Sequence, residues 1–199
     1  MGGIIKNILD MEWEMFQNTQ NIGGRASCQD DKTTFYLMRE SQWSIFSEEA
    51  LEQYDADLRE AKSQGRNMVA EKYGYMMESY DPKGFAEIQS LLPQKSAEET
   101  ELVERIVAIH LKWYEEVRAQ FPHFAARGRV LYSREDKIGD VSIETYLRGE
   151  FKTGSRAFLE ICLRYFRECQ EHGRNLVMEN YQAMTKAYGY EGLADEEEQ

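Results

Sequence analysis

The sequence predicts an all-α protein, a single compact domain of residues 1–199. We expect a helical bundle built from two fused, pseudo-symmetric helical repeats with one long helix each. Two segments carry apolar residues at helical spacing for about eight turns, and no stretch alternates convincingly like a strand. The same two segments also match each other. Only three prolines and 30% charged residues suit long helices better than a turn-rich β-sandwich.

The long helices are predicted over residues 47–76 and 155–184, each starting at a serine that is a good N-cap. Gly65 and Gly173 lie on the apolar stripes, where an interior glycine costs about 1 kcal/mol of helix propensity. We expect a close helix crossing at each glycine to compensate. The alternative is a break at each glycine, which would give two shorter helices per repeat.

These two segments align without a gap and are identical at 12 of 30 positions. Average residue frequencies would give about two matches, so the alignment predicts an internal duplication. The identical pairs are Ser47/Ser155, Leu51/Leu159, Glu52/Glu160, Arg59/Arg167, Glu60/Glu168, Gly65/Gly173, Arg66/Arg174, Asn67/Asn175, Val69/Val177, Glu71/Glu179, Tyr73/Tyr181 and Met76/Met184.

The duplication divides the chain into a first repeat of about residues 1–92 and a second of about residues 98–193. Each repeat should contain an amphipathic helix, a Gly-Arg loop, a short helix and the long helix. Residues 130–132 could form a short extended piece. The acidic C-terminal tail, residues 194–199, is expected to be frayed.

The composition disfavours two classes of partner, nucleic acids and membranes. A formal net charge of −12 disfavours general nucleic-acid binding, because phosphate contacts need clustered cations. No apolar run approaches the roughly 18–20 residues of a membrane span, so no membrane association is expected. Three cysteines without a C-x-x-C pair indicate reduced thiols. Together with the lack of a signal-peptide pattern, they predict a cytoplasmic protein.

A polar motif, Gly-Arg-Asn-x3-Glu, occurs at the same place in both long segments. Its Asn and Glu share a helix face that points away from the apolar stripe, so core packing alone does not explain its repetition. Its arginines could bind an anion or fix the glutamate. The motif therefore predicts paired ligand-binding residues, or alternatively a lock onto a neighbouring loop such as Gly23-Gly24-Arg25. The motif residues are Arg66, Asn67, Glu71, Arg174, Asn175 and Glu179.

Two ionisable residues, Glu12 and His110, fall on apolar helix faces. A carboxylate buried there must be paired or protonated. If the first helices of the two repeats pack together, Glu12 and His110 would form an acid–base pair. Otherwise Glu12 belongs to a structural ion pair and His110 is a hydrogen-bonded core residue. The expected partners of Glu12, which are also candidate ligand-binding residues, are Arg25, Arg39, Arg129 and Arg148.

No metal or cofactor site is predicted. None of the three histidines follows a glutamate by three residues, as ferritin-like di-iron bundles require. The chain also lacks Walker, GxGxxG and GxSxG motifs. Arg105-x4-His110 resembles the Arg-x4–6-His spacing of the HEPN all-α ribonucleases, although Ile106 stands where those proteins commonly have a polar residue. The resemblance implies ribonuclease activity as an alternative function.

The whole chain resembles an uncharacterised bacterial family, a domain of unknown function of about this length. The resemblance implies a bacterial cytoplasmic protein and carries over no catalytic residues. The residues that carry it are Glu12-Trp13-Glu14-Met15-Phe16-Gln17, Gly23-Gly24-Arg25-Ala26-Ser27-Cys28-Gln29, Met38-Arg39-Glu40-Ser41-Gln42 and Gly65-Arg66-Asn67-x3-Glu71-Lys72-Tyr73.

The arginines that recur at matched places in the two repeats predict a binding or interaction role rather than catalysis. We expect an Arg/Asn/Glu-lined pocket between the repeats, for an anionic small molecule or a protein partner. The alternative is a hydrolytic or HEPN-like ribonuclease that uses Glu12 and His110 with the flanking arginines.

Overall fold

A computed structural model describes residues 2–20 and 24–197, and within them the protein has eleven α-helices and no strand. The predicted all-α fold is therefore confirmed. None of the described helices is both long and apolar enough to span a membrane. The helices are α1 (Gly2–Gln17), α2 (Lys32–Trp43), α3 (Glu48–Ser63), α4 (Met68–Tyr80), α5 (Pro82–Ile88), α6 (Ala97–Gln120), α7 (Pro122–Ala126), α8 (Ile143–Phe151), α9 (Arg156–Glu171), α10 (Leu176–Ala187) and α11 (Leu193–Glu197).

The helices pack in a reciprocal arrangement around α3 and α9, which contact each other. In the first half of the chain α1 packs on α2, α3 and α4, and in the second half α6 packs on α8, α9 and α10. The halves are joined by α4 against α8 and by α10 against α2. Each of these contacts has a counterpart in the other half. This reciprocity supports the internal duplication, which stays a prediction.

Each predicted long helix is two helices, so the expectation of one continuous helix per repeat is wrong and the alternative of a break is correct. The first ends at Ser63 and the next begins at Met68, with Gly65 between them at a φ of 71°. Gly173 has a φ of 68° in the second repeat. The left-handed region favours glycine because it has no Cβ. Each glycine therefore ends a helix instead of allowing a close crossing.

The Asn that follows each Gly-Arg pair starts the next helix. Asn67 accepts a hydrogen bond from the Ala70 N–H as the N-cap of α4, and its Nδ2 donates to the Met15 carbonyl of α1 at 2.7 Å. Asn175 caps α10 in the same way and donates to the Trp113 carbonyl of α6 at 3.0 Å. The motif thus turns the chain and locks the new helix onto the first helix of its own half.

Two smaller expectations also change. Residues 130–132 are loop rather than strand, and the carbonyls of Val130 and Leu131 accept hydrogen bonds from the start of α8. In the C-terminal tail, residues 194–197 belong to α11, which contacts α7 and α10. Leu193, the first residue of this helix, is buried. The rest of the expected tail, residues 198–199, lies outside the described residues, as does Gly23 of the predicted glycine loop.

Replacing Gly65 or Gly173 by alanine tests the helix break. No neighbouring atom lies within 4 Å of the added Cβ at either glycine, so the cost comes from the left-handed backbone alone. We expect a decrease of about 1–2 kcal/mol in the free energy of unfolding, measured by urea denaturation. Gly3→Ala, in the first turn of α1, is the control and should be neutral or slightly stabilising. Equal responses at all three glycines would contradict the assignment.

Candidate functional site

A cavity of about 810 Å³, here called the central cavity, lies between the two halves of the chain. Side chains from α1, α2, α4, α6, α8 and α10 line it, together with Tyr54 of α3. Its size falls within the range typical of small-molecule sites. The walls combine aromatic rings with a small number of charged and amide groups.

The deepest charged group is Glu12, whose side chain is 1% exposed and forms an ion pair with Arg39 of α2. Arg39 binds both carboxylate oxygens, Nε donating to Oε2 at 2.9 Å and Nη2 donating to Oε1. The Trp43 indole N–H donates to Oε2 at 3.2 Å, and the Tyr54 hydroxyl donates to Oε1 at 3.0 Å. Because four donors bind the carboxylate of Glu12, the role of this side chain is structural. This is the ion pair that the sequence offered as the alternative to a general base.

Glu150 of α8 shares the same arginine but is only partly satisfied. Its Oε1 lies 2.6 Å from Arg39 Nη1 and 3.4 Å from Gln42 Nε2. Among the described residues, no side chain or backbone group donates a hydrogen bond to Oε2. Burial raises the pKa of Glu150, but the charges of Arg39 and Lys72, with hydrogen bonds from Arg39 and Gln42, outweigh burial and hold the pKa below its ordinary value. Glu150 is therefore ionised at neutral pH in the cavity wall.

Two cations meet on the ring of Tyr146. Lys72 Nζ, from α4, lies 4.9 Å from the ring centroid, and Arg129 Cζ, from the loop before α8, also lies 4.9 Å from it. Arg129 additionally donates to the Val141 carbonyl at 3.1 Å. Within residues 2–20 and 24–197, neither cation has a carboxylate within 4 Å. Both line the central cavity, so their charges are available to a ligand.

Asn180 of α10 contributes a side-chain oxygen that is buried and makes no hydrogen bond within the described part of the chain. Such a group costs free energy unless something pairs with it. Tyrosines also line the cavity, and the hydroxyls of Tyr73 and Tyr146 lie 3.2 Å apart. Burial is the largest of the influences that raise the pKa of Tyr73, so this hydroxyl stays protonated.

His110 lines the cavity and is 5% exposed, packed against the rings of Trp113, Phe151 and Phe166. Its Nδ1 lies 3.0 Å from the Ile106 carbonyl, which requires a proton on Nδ1. Burial lowers the pKa of His110 to about 4. The imidazole is therefore neutral at pH 7. The structure shows no hydrogen bond between His110 and Glu12, whose carboxylate is already taken by four donors.

The Arg-x4-His spacing does not form a site. Arg105 is exposed and lies 3.7 Å from Glu101 on the outer face of α6, whereas His110 is buried on the inner face. Among the described residues, no group of three His, Cys, Asp or Glu side chains is arranged to hold a metal ion.

A family model described as "Protein of unknown function (DUF4125)" matches residues 3–198. The chain belongs to the DUF4125 family. That description includes no activity, so the arrangement of the site has to carry any functional argument. No curated protein and no solved structure matches the chain.

Most of the predicted ligand-binding residues lie outside the central cavity. Of the ten candidates, only Arg39 and Arg129 line it. Arg25 binds Asp30, Gln17 and the Gln29 carbonyl at the surface. Arg148 forms ion pairs with Glu104 and Glu144. The remaining candidates, which also lie outside the cavity, are the motif residues Arg66, Asn67, Glu71, Arg174, Asn175 and Glu179.

Each motif arginine forms an ion pair with the glutamate of its own motif. Arg66 binds Glu71 through Nε and Nη2, both at 2.8 Å, and Arg174 binds Glu179 at 2.9 and 2.7 Å. Each arginine uses Nε and Nη2 to bind both oxygens of its glutamate. These ion pairs therefore stabilise the turn between the two helices. Within the described residues, neither motif Asn donates to the Glu of its own motif, because each Asn side chain caps its helix and reaches the first helix of its own half.

Sequence reasoning missed Lys72, Tyr146, Glu150 and Asn180. A signal existed for two of them, because Lys72 follows Glu71 and Asn180 follows Glu179 in the repeated motif. They are therefore matched polar positions that differ between the copies. Tyr146 and Glu150 lie on a nine-residue helix, too short for its pattern to show which face is buried.

Removing Arg39 tests the buried ion pair. Arg39→Met leaves two buried carboxylates without their cation, and we expect a loss of about 3–5 kcal/mol in the free energy of unfolding. Arg148→Met is the matched control, because that arginine also binds two glutamates but near the surface, where about 1 kcal/mol or less is expected. Urea denaturation of both variants measures the difference, and comparable losses would contradict a buried role.

The low pKa of His110 predicts a pH dependence. Between its folded pKa of about 4 and the ordinary value of 6.5, the unfolded chain binds more protons, so stability falls as the pH falls. From pH 7 to 5 this residue should cost about 2 kcal/mol of unfolding free energy. Chemical denaturation of wild type and His110→Gln at both pH values isolates this contribution. A variant with an unchanged pH response would contradict the burial of a neutral imidazole.

Proposed function

We propose that the protein binds an anionic small molecule in the central cavity, with Lys72 and Arg129 holding the charged group. The observation that carries the proposal is the convergence of these two cations on Tyr146 without a carboxylate partner among the described residues. An ammonium and a guanidinium placed together suit a carboxylate or a phosphate, the guanidinium through paired hydrogen bonds.

The other walls of the cavity suit the body of such a ligand. Rings from α2, α4, α6 and α10, including Phe35, Tyr73, Tyr114 and Tyr181, provide apolar surface and a few hydroxyls. Binding sites for small molecules usually combine a largely apolar enclosure with a few polar groups that fix orientation. A binding role in the cytoplasm agrees with the three free cysteines of the chain, Cys28, Cys162 and Cys169.

Thermal-shift screening against nucleotides, sugar phosphates and organic acids tests the proposal. A ligand at about 100 times its Kd adds about 2.7 kcal/mol of stability. For a chain of this size, that corresponds to a rise in Tm of about 5–10 °C. We expect the Lys72→Gln/Arg129→Gln double variant to lose the rise produced by any anion that stabilises the wild type.

The matched control is Arg66→Gln/Arg174→Gln, which removes the same charge from the repeated motif outside the cavity. This variant should keep the ligand response, even if its stability without ligand is lower. A response that disappears in the control but survives in Lys72→Gln/Arg129→Gln would place the anion at the motif and contradict the proposal. A panel without any stabilising anion would also count against it.

A further inference from the structure

We infer that the ligand of the central cavity is zwitterionic, an amino-acid-like molecule that carries a primary ammonium group as well as its anionic group. The ammonium is assigned to Glu150 and Asn180. This inference rests on the proposed function, because the anionic group is the one held by Lys72 and Arg129.

The balance of charges in the cavity wall favours a ligand with a positive group. Arg39 lies between Glu12 and Glu150, so one guanidinium faces two carboxylates. The three-residue cluster therefore keeps one net negative charge, and the carboxylate of Glu12 is fully engaged. The excess is exposed to the cavity at Glu150, whose Oε2 accepts nothing within the described chain. A buried carboxylate of this kind is stabilised by a charged donor.

The cations at Tyr146 and the carboxylate of Glu150 form no ion pair with each other among the described residues. Lys72 is close enough to Glu150 to lower its pKa, yet no ion pair of 4 Å or less joins them in the described structure. A purely anionic ligand would leave Glu150 with only the arginine that it shares with Glu12. A molecule with charges of both signs can pair with Lys72 at one end and with Glu150 at the other.

The uncharged lining also suits an ammonium group. The side-chain oxygen of Asn180 has no hydrogen-bond partner among the described residues, and an ammonium group has three donors, more than one carboxylate oxygen can accept. Tyrosine faces attract cations, and five tyrosines line the cavity: Tyr54, Tyr73, Tyr114, Tyr146 and Tyr181. Acceptors and rings of this kind favour an ammonium over a second anionic group.

The test uses probes that differ in one group, with binding to the full chain measured by calorimetry. The twenty common L-amino acids and O-phosphoethanolamine supply the zwitterions, with carboxylate and phosphate as alternative anions. Each probe that binds is compared with its deaminated acid, such as ethyl phosphate for O-phosphoethanolamine. A charged hydrogen bond makes the zwitterion bind about 10- to 100-fold more tightly than the deaminated acid.

Two variants locate the ammonium. Glu150→Gln removes the charge, and Asn180→Leu removes an acceptor oxygen that has no hydrogen-bond partner among the described residues. In either variant the preference for the zwitterion should fall by about tenfold or more, while the deaminated acid binds as it does to wild type. Glu104→Gln, which removes a surface carboxylate, should leave the preference unchanged.

The outcomes separate this inference from the proposed function. If deaminated acids bind as well as the zwitterions, or if Glu150→Gln and Asn180→Leu keep the preference, the zwitterionic ligand is excluded while anion binding stands. If no zwitterion in the set binds, the inference is also overturned. If binding persists in Lys72→Gln/Arg129→Gln, the proposed function itself fails.

Discussion

The arrangement of the helices depends on the side chain of Arg39, a guanidinium enclosed in the interior of a helical bundle. Such a charge is tolerated only when its donors are used. Arg39 achieves this by binding Glu12 on α1 and Glu150 on α8, and its carboxylate partner Glu12 is further bonded by Trp43 and Tyr54. Four helices from both halves therefore meet at one charge cluster. Their relative positions determine where the central cavity lies and which residues face it.

The sequence contained the main features of this architecture. Helical stripes and serine caps predicted the all-α fold, and Ser47 and Ser155 are the N-caps of α3 and α9. The burial of Glu12 and its pairing with an arginine also followed from the pattern. The break at Gly65 could not be decided from the stripe, because apolar spacing continues across it. Only the left-handed backbone of Gly65 shows that two helices replace one.

The cavity residues could not be predicted, because they come together through contacts distant in sequence. Lys72 and Glu150 belong to opposite halves, and α4 meets α8 only in the folded chain. Neither residue stands out by composition, since the chain has many lysines and glutamates. Lys72 is distinguished by having no carboxylate within 4 Å among the described residues, and Glu150 by sharing its arginine with Glu12. Both are properties of the folded structure rather than of the sequence.

The motif residues are the same in the two halves of the chain, whereas the polar residues of the cavity differ between them. Gly-Arg-Asn-x3-Glu is identical in both copies and makes the same turn, cap and ion pair in each. In the cavity, matched positions differ: Lys72 stands opposite Asn180 in the alignment. Met15 and Trp113 accept the same asparagine hydrogen bond in their halves, so Glu12 and His110, three residues earlier, also correspond. Two similar halves need the same local bonds twice, whereas the zwitterionic ligand that we propose needs different groups at its two ends. Identity between the halves therefore accompanies the shared turn, cap and ion pair, and the polar difference between Lys72 and Asn180 agrees with the proposed binding site.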